Sequence, residues 1–453
     1  MAEWRQAFHL EPPRGWLNDP NGLCWFGGRY HVYFQYCPSA ADGSGPKCWG
    51  HYESPDFLHW TFTGVPLTPD HPRDADGVYS GSAAADGGTL RLYYTGNVKH
   101  PGDYDYVTAG REGNTLCVET ADGRTMGPKR LLLTNGDYPA DCSCHVRDPK
   151  VWRTALGWRM VLGARSRSDA GRVLLYRSAD GLHWQLEAVL EQKPAFGYMW
   201  ECPDYFELDG QGFLSLSPQG LPHGTYTCQN VYQSGHFAVD GDLAEGRLYS
   251  FAEWDMGFDF YAPQTFRAPD GRRILIGWMG IPDADYANPT TALGWQHCLT
   301  VPRQVTLQNG RLCQTPVREL DALCGAPRPL PEGETAAVEA PFRLRARAAG
   351  SCRLTLAGGL ELDYDAGGRV FTLRFTDPAI SGGRTVRRAR LDAPGPLELD
   401  VLVDTSSVEC YINGGSTVFA TRFYPASRRI AVQAQGMQAS AAPMQPMQVD
   451  GLA

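Results

Sequence analysis

Hydrophobic and polar residues alternate over many short stretches of this chain, and Gly, Pro, Asp and Asn separate the stretches from one another. Alternation with a period of two is typical of β-strands that bury one face. No long stretch has the three-to-four-residue period of an amphipathic helix. The pattern therefore predicts an all-β protein.

One pattern, a Gly-containing turn followed by a hydrophobic strand, recurs five times in the first two thirds of the chain. The turn glycines follow one another at intervals of 55 to 69 residues and are Gly28, Gly88, Gly157, Gly212 and Gly271. A second pattern, Ser54–Trp60, returns as Ser178–Trp184. A repeat of this length holds about four short strands, as a propeller blade does. We predict a five-bladed β-propeller, the alternative being antiparallel hairpins whose turns are evenly spaced.

The last third of the chain differs in composition. Residues 324–333 are rich in Pro and Gly, which indicates a linker, and alternating strands follow it. Asn413-Gly414 between two such strands is a strong hairpin signal. Because 453 residues are also too many for one ordinary core, we predict a propeller over 1–310, a linker over 311–333 and a C-terminal β-sandwich over 334–453.

Charge and composition exclude several classes of partner. The net charge of −9 is spread without basic blocks, which argues against nucleic acid. No run approaches the roughly 20 apolar residues that span a bilayer, and the amino terminus lacks the pattern of a secretory signal. Thirteen cysteines, without a Cys-x-x-Cys pair, favour reduced thiols over disulfides or a metal site. We predict a cytoplasmic protein, either a monomer or a homodimer.

Three carboxylates hold nearly the same place in different repeats. Asp19 precedes Tyr30 by 11 residues, Asp148 precedes Trp158 by 10, and Glu201 precedes Phe213 by 12, counted along the sequence. If this place is the innermost strand of each blade, all three carboxylates converge at the mouth of the central channel. Tyr79, Ser80 and Tyr261 take the matching places in the other two repeats and complete the wall.

The sequence around each acid predicts its protonation state. Asp19 lies in a stiff turn because Pro20 and Asn21-Gly22 follow it. Arg147 and Lys150 flank Asp148 and favour its ionised form, whereas aromatic neighbours favour a neutral Glu201. One ionised and one neutral carboxyl group are what cleavage of an acetal requires. Each acid could instead have a purely structural role: Asp19 in a turn, Asp148 in an ion pair and Glu201 at the edge of a strand. A calcium site is disfavoured because no Asp-x-Asp-x-Asp loop is present.

The chain resembles glycoside hydrolase family 32, the group of invertases, inulinases and sucrose-6-phosphate hydrolases. The motifs that carry the resemblance are Trp16–Gly22, Arg147–Pro149 and Glu201-Cys202, supported by Tyr79–Ser82, Phe258–Gln264 and Val403–Glu409. The resemblance implies a five-bladed propeller followed by a β-sandwich, with no metal and no organic cofactor.

The resemblance also implies roles for individual residues. Asp19 would be the nucleophile, Glu201 the general acid and then base, and Asp148 a stabiliser of the fructosyl transition state, in a retaining double displacement. The residues that would hold terminal fructose are Asn18, Gln35, Trp49, Tyr79, Ser80, Arg147, Tyr261 and Trp278.

Three functions remain open on the sequence alone. The first is a β-fructofuranosidase that releases fructose from sucrose or sucrose 6-phosphate, and the similarity of Lys47–His51 to intracellular bacterial members favours it. The second is an exo-acting hydrolase of fructo-oligosaccharides, inulin or levan, and the third is a non-catalytic protein that binds fructosides. A phosphate on the substrate would need a cation, for which charge alone suggests Lys47, Lys99, Arg165 and Arg167.

Overall fold

Strands make up nearly all the regular secondary structure of the computed structural model, which describes residues 4–245, 247–392 and 395–452. Residues 1–3, part of the terminus in which we found no signal pattern, lie outside these ranges. Within them, no helix has the length and apolar character needed to cross a membrane. The prediction of an all-β protein is confirmed.

Four sheets of four consecutive strands come first, each formed by antiparallel neighbours. Their strands are β1 (Gly15–Phe26), β2 (Arg29–Cys37), β3 (Cys48–Ser54), β4 (His59–Leu67), β5 (Val78–Asp86), β6 (Thr89–Lys99), β7 (Arg111–Thr120), β8 (Arg130–Leu133), β9 (Cys142–Thr154), β10 (Gly157–Ser166), β11 (Gly171–Ser178), β12 (Gln185–Glu191), β13 (Met199–Leu208), β14 (Gln211–Gln219), β15 (Gly235–Asp240) and β16 (Arg247–Glu253). Each glycine of the repeat lies at the start of the second strand of its unit: Gly28, Gly88 and Gly271 precede that strand, and Gly157 and Gly212 are among its first two residues.

A fifth sheet follows, interrupted by a loop with a 3-10 helix at Pro289–Leu293. The strands of this region are β17 (Tyr261–Arg267), β18 (Arg273–Met279), β19 (Trp295–Gln296), β20 (Cys298–Leu299), β21 (Arg303–Gln308) and β22 (Arg311–Pro316). All except β19 belong to the fifth sheet, and β19 pairs in parallel with β1 of the first sheet. This pairing connects the end of the series to its beginning.

The first strands of the five sheets, β1, β5, β9, β13 and β17, are here called the inner strands. Each contacts the inner strand of the next sheet, and β17 contacts β1. The contacts between inner strands therefore run through all five sheets and return to the first.

The second sequence pattern forms the same turn in both repeats. Asp56 accepts backbone N–H groups from Leu58 and His59 at 2.9 Å, and Asp180 does the same for Leu182 and His183. A turn of this kind joins the third strand to the fourth in the first and third sheets. The resemblance between the two segments is therefore structural.

Two six-stranded antiparallel sheets form the last third of the chain. Their strands are β23 (Arg328–Pro329), β24 (Thr335–Glu339), β25 (Phe342–Ala348), β26 (Cys352–Leu356), β27 (Leu360–Asp365), β28 (Val370–Phe375), β29 (Val386–Arg390), β30 (Leu397–Val403), β31 (Ser407–Ile412), β32 (Thr417–Arg422), β33 (Arg429–Gln435) and β34 (Gln438–Pro443), with a short helix α1 (Pro378–Ser381) after β28. One sheet has the order β23-β34-β25-β30-β31-β32 and the other β24-β33-β26-β27-β28-β29. Their facing apolar side chains share one core, as in a β-sandwich.

The predicted linker is only partly irregular. Residues 311–316 form β22 and pair with β21, and a 3-10 helix follows at Arg318–Leu323. Leu320 and Leu323 are buried against the core of the first sheet. The sequence argument missed these elements because it weighed the Pro- and Gly-rich stretch that follows them. The last strand, β35 (Gln448–Asp450), returns to pair in parallel with β4.

A buried charge network joins the fifth sheet to the sandwich. The Arg303 side chain, with 0% exposure, donates to Glu409 at 2.6 Å and to Asp255 at 3.0 Å. The imidazole of His9 lies between Asp404 and Glu409, at 2.8 and 2.9 Å. These two carboxylates raise the pKa of His9 to about 9 against the opposing effect of burial. Because every charge here has a partner of opposite sign, the network can exist without water.

We expect Arg303→Met to reduce the free energy of unfolding by about 3–5 kcal/mol, because Asp255 and Glu409 would lose their shared cation in a buried place. Urea unfolding followed by tryptophan fluorescence measures this loss. The matched control is Arg311→Met, whose partner is Asp392 and whose side chain is 58% exposed; it should cost less than about 1 kcal/mol. Equal losses in the two variants would contradict the importance of the buried network.

Candidate active site

Each inner strand has a β-bulge at one level, and most of these bulges contain proline. In β9, Arg147 pairs with Gly163 and Lys150 with Val161, so that Asp148 and Pro149 together face one partner residue. Proline has no N–H group and cannot continue the ladder, and a bulge re-aims the side chains beside it. The same interruption occurs in β13 at Cys202-Pro203 and in β17 at Ala262-Pro263.

The residue before each of these three prolines has a positive φ. The angles are 65° for Asp148, 46° for Cys202 and 47° for Ala262. This conformation is uncommon for residues other than glycine and marks places where the surrounding structure holds the backbone. In the second sheet, Gly81 replaces proline at the bulge, where a Cβ atom would lie 1.9 Å from the carbonyl oxygen of Tyr93.

This register corrects the position of one acid by one residue. The sequence argument gave Asp148 and Glu201 the same place in their repeats, but in the structure Cys202 is the residue equivalent to Asp148. Glu201 is equivalent to Arg147 and Tyr261, which precede the bulges of their own strands. The number of residues between each acid and the next strand does not reveal this offset of one residue, because the intervening turns differ in length.

Side chains of one inner strand accept hydrogen bonds from backbone N–H groups of the next inner strand. The four such bonds run from Gly81 N–H to Asn21 (2.9 Å), from Val151 N–H to Ser82 (3.0 Å), from Cys202 N–H to Asp148 (2.9 Å) and from Thr265 N–H to Asp204 (2.5 Å). Buried backbone donors must find an acceptor. The bonds therefore tie all five inner strands together at the level of the bulges.

Two of the predicted acids lie next to each other around one thiol. The Cys202 sulfur is 3.7 Å from Asp19 Oδ2 and 3.6 Å from Asp148 Oδ2. Burial raises the pKa of the Cys202 thiol well above its usual range, so that the group stays protonated and can donate to either carboxylate. Asp19 also accepts from Ser80 at 2.5 Å and from Asn18 at 3.1 Å.

Glu201 has a polar environment, contrary to the sequence prediction. Its Oε1 accepts from Arg147 Nη2 at 2.5 Å, and its Oε2 accepts from Gln219 at 2.7 Å and from Tyr261 at 2.6 Å. The apolar neighbours in the sequence, such as Trp200, point to the other face of the strand into a buried cluster. Alternation along β13 explains the error, since adjacent residues of a strand face opposite sides.

Asp148 also differs from its prediction. Burial raises the pKa of Asp148 to about 7, and nearby Arg147 only partly opposes this effect. The Arg147 guanidinium turns to Glu201 and leaves its Nε 3.9 Å from Asp148. Lys150 is directed to Asp204 at 3.2 Å and to the carbonyl oxygen of Thr265. Neither sequence neighbour therefore keeps Asp148 ionised as expected, because burial is the larger effect.

A cavity of about 220 Å³ opens above these carboxylates. Its lining residues are Trp16, Asn18, Asp19, Gln35, Asp42, Gly43, Lys47, Tyr79, Ser80, Arg111, Arg147, Asp148, Glu201, Tyr261, Trp278 and Pro282. Ten of the eleven predicted site residues are among them. The exception is Trp49, which is fully buried and donates its indole N–H to the carbonyl oxygen of Tyr79 at 3.0 Å, behind the cavity wall.

Aromatic rings and amides form the rest of the wall. Trp16 and Trp278 meet edge to face with centroids 5.9 Å apart, and Trp278 also lies against Tyr261. The indole N–H of Trp16 donates to the side-chain oxygen of Asn18. The side-chain nitrogen of Asn18 donates in turn to the side-chain oxygen of Gln35. Such a mixture of apolar rings and fixed amides suits a sugar, which has both hydroxyl groups and C–H faces.

Sequence reasoning missed several residues of this site. Trp16 and Gln219 were not proposed as site residues, although Trp16 lies in a quoted motif, and Arg111 has no motif around it. Among the cations suggested for a phosphate, only Lys47 lines the cavity. Arg165 pairs with Asp169 at 2.7 Å. Lys99, which pairs with Arg111 across two strands, and Arg167 are exposed and do not line the cavity.

One group of three potential metal ligands occurs in the described part of the chain: His31, His51 and Glu53. The two imidazoles hydrogen-bond each other at 3.0 Å, and Glu53 is held by Arg124. Burial lowers the pKa of both histidines, which keeps them neutral. None of the three lines the cavity, so this group is separate from the candidate active site.

Comparison with known proteins agrees with the site. The model for the N-terminal domain of glycosyl hydrolases family 32 matches residues 9–316, and that for the C-terminal domain of the same family matches residues 305–449. Raffinose invertase from Escherichia coli is 38% identical over 95% of this chain and 92% of its own. Sucrose-6-phosphate hydrolase from Klebsiella pneumoniae is 41% identical over 92% of this chain and 88% of its own.

A solved structure resembles the whole chain. Sucrose-6-phosphate hydrolase from Lactobacillus gasseri superposes with a TM-score of 0.90 at 28% identity, over 99% of this chain and 94% of that one. Both family models and the full-length relatives thus cover the inner strands and the sandwich alike. The protein therefore belongs to glycosyl hydrolase family 32.

Proposed function

We propose that this protein is a β-fructofuranosidase that releases terminal fructose from sucrose or sucrose 6-phosphate. The observation that carries the proposal is that Asp19, Asp148 and Glu201 line one cavity of sugar size in a member of family 32. The names of its relatives, raffinose invertase and sucrose-6-phosphate hydrolase, support the same substrates.

In the proposed reaction, Asp19 attacks C2 of the fructosyl unit and Glu201 protonates the departing glycosidic oxygen. Water then attacks the covalent intermediate while Glu201 acts as base, so that the configuration is retained. Asp19 suits the first role because Ser80 and Asn18 donate to its carboxylate and orient it. A retaining mechanism predicts about 5 to 5.5 Å between the two carboxyl groups in the complex with substrate.

Glu201 must hold a proton when the substrate is bound. Burial raises the pKa of Asp19, the nearby charge of Glu201 raises it further, and donation from Ser80 and Asn18 lowers it. Arg147, Gln219 and Tyr261 orient Glu201, and their hydrogen bonds strengthen again when it becomes a carboxylate on protonating the leaving group. This arrangement lets Glu201 alternate between acid and base without moving.

Asp148 is proposed to bind hydroxyl groups of the fructosyl unit and to stabilise the positive charge of the transition state. Its carboxyl group is buried and held by the Cys202 N–H, so that it is fixed in place before the substrate arrives. The other residues proposed to hold fructose are Asn18, Gln35, Tyr79, Ser80, Arg147, Tyr261 and Trp278. Trp49 would act indirectly, by supporting the backbone of Tyr79.

The architecture is proposed to be a five-bladed propeller, with the five consecutive sheets as its blades, followed by the β-sandwich. The contacts of β17 with β1 support closure of the ring. We keep the domain limits of 1–310 and 334–453 as predictions; the intervening segment contains β22, the 3-10 helix at Arg318–Leu323 and β23. A cytoplasmic location and a monomeric or homodimeric state also stay predictions.

We expect Asp19→Asn to lower kcat for sucrose hydrolysis on the order of 10⁴-fold, because an amide cannot form the covalent intermediate. Fructose release by the purified variant measures this. Asp56→Asn, a change at an exposed turn far from the cavity, is the control and should keep the rate within about two-fold. Near-normal release by Asp19→Asn would remove Asp19 from the role of nucleophile.

A second prediction concerns pH. Burial raises the pKa of Asp19, and donation from Ser80 lowers it. Ser80→Ala removes this donor and raises that pKa further, so that kcat/KM should fall off at a higher pH on the acid side than in the wild type. Ser82→Ala is the control, because the Ser82 hydroxyl accepts from the N–H of Val151 and contacts no carboxylate. Coincident acid limbs in Ser80→Ala and the wild type would contradict the prediction.

The proposed function itself is tested by measuring kcat/KM of the wild type for sucrose and sucrose 6-phosphate side by side. Turnover of either with release of fructose is the expected result. Much faster turnover of long fructans than of both disaccharides would favour the exo-acting alternative. Binding of fructosides without turnover of any of them would favour the non-catalytic alternative.

A further inference from the structure

Arg111, the first residue of β7, faces the cavity without a carboxylate partner in the described part of the chain. Its Nε donates to the side-chain oxygen of Asn97 at 2.8 Å, and its Nη1 lies 3.4 Å from Nε2 of His145. The other terminal nitrogen, Nη2, makes no hydrogen bond to a described residue. A guanidinium that lines a cavity therefore keeps donors available for a ligand.

The other cations of the cavity are already compensated. Arg147 binds Glu201 at 2.5 Å. Lys47 donates to the carbonyl oxygen of Gly43. Asp19 and Asp42 act on Lys47 through space. Glu201 and Asp148 act in the same way on Arg111, so that the unused Nη2 donor is what distinguishes Arg111. An anionic ligand would therefore gain the least binding free energy at Arg147 and Lys47, and the most at a cation that still has an unused donor.

A second guanidinium, that of Arg147, lies near Arg111, and the carboxylates of Glu201 and Asp148 also act on Arg111. His145 lies between the two guanidinium groups, with its Nδ1 2.8 Å from Arg147 Nη1. Burial and these cations lower the pKa of His145 to about 2, so that the imidazole is neutral and can accept at only one nitrogen. Burial and the repulsion from Arg147 also lower the pKa of Arg111. This part of the cavity therefore offers an anion the unused Nη2 donor of Arg111 beside a neutral imidazole.

Contacts indicate which end of the substrate this part of the cavity receives. A series of hydrogen bonds and close polar contacts runs from Arg111 through His145 and Arg147 to Glu201. Glu201 is proposed to protonate the oxygen that leaves with the glucosyl unit. The series that leads away from Glu201 does not pass through Asp19, which attacks the fructosyl unit. Arg111 is thus linked to the acid that protonates the leaving group and not to the nucleophile, and its guanidinium lies 5.6 Å from the centre of the ring of Tyr79, a residue proposed to hold fructose.

We propose that Arg111 binds the phosphate on the leaving glucosyl unit of sucrose 6-phosphate and makes the enzyme prefer this substrate to sucrose. The inference rests on the proposed function of the same cavity. A guanidinium presents parallel N–H donors that match two oxygens of a phosphate, and Nη2 is available for this contact. Sucrose without a phosphate has no negative charge to compensate the free-energy cost of desolvating Arg111.

The experiment compares kcat/KM for sucrose 6-phosphate and sucrose in the wild type and in Arg111→Met. The ratio of the two values should fall on the order of 10- to 100-fold in the variant, because charge-assisted hydrogen bonds to the phosphate are lost. The matched control is Arg165→Met, since Arg165 carries the same charge and acts on His145 through space but does not line the cavity. Its ratio should stay within about two-fold of that of the wild type.

A second variant separates lost charge from lost folding. Arg111→Lys keeps the charge without the paired donors, and its ratio should lie between those of the wild type and Arg111→Met. An unchanged ratio in Arg111→Met would overturn the inference and leave the proposed hydrolysis of sucrose intact. Hydrolysis of neither sugar by the wild type would instead overturn the proposed function, and this inference with it.

The wild-type protein gives a test that needs no variant. Glucose 6-phosphate should inhibit sucrose hydrolysis at least 10-fold more strongly than glucose at low ionic strength, and added salt should weaken this difference. Inorganic phosphate should also inhibit, more weakly than glucose 6-phosphate because it lacks the sugar contacts. Equal inhibition by glucose and glucose 6-phosphate would overturn the assignment of a phosphate subsite to this cavity.

Discussion

The structure depends on one constraint: where the inner strands lose their regular ladder, each freed N–H group must find another acceptor. Prolines in three bulges and Gly81 in another interrupt pairing at one level. Side chains of the preceding inner strand then accept the freed or reoriented donors, as Asp148 does for Cys202 at 2.9 Å. Since an acceptor must sit at the strand junction, polar residues are held deep in a protein whose surrounding sheets are apolar. The same requirement that stabilises the backbone therefore holds one of the three site carboxylates, Asp148, in place.

Burial and hydrogen bonding then divide the tasks among these carboxylates. Asp148 is the most enclosed of the three, and burial raises its pKa to about 7 although Arg147 is near. Asp19 keeps donors from Ser80 and Asn18, which favour its charge. Glu201 takes the guanidinium that the sequence places beside Asp148. Three acids of similar intrinsic strength thus acquire different partners, and the proposed nucleophile, acid and stabiliser follow from these partners.

The same physics of paired and unpaired charge operates far from the cavity and within it. At the junction with the sandwich, Arg303 is fully buried and has two carboxylates, so its charge stabilises the contact between two parts of the fold. At the cavity, Arg111 is largely enclosed and has no carboxylate among the described residues. A buried cation with partners is structural, whereas one without partners is poised for a ligand. Comparison of the two arginines shows how position, not residue type, separates stability from specificity.

Local pattern in the sequence determined the strands and the recurring glycine turns, because alternation and turn residues act over a few neighbouring residues. The resemblance of the motifs to a known family supplied most of the eleven predicted site residues, ten of which line the cavity. The tertiary structure alone determined which residues of the site contact one another. Turns of different length shifted Glu201 by one place relative to Asp148, strand alternation turned Trp200 away from Glu201, and Trp49 lies behind Tyr79. Arg111 comes from another strand than any motif and could be recognised only from its position. These decisions depend on register and on contacts between residues distant in the chain, which no local pattern encodes.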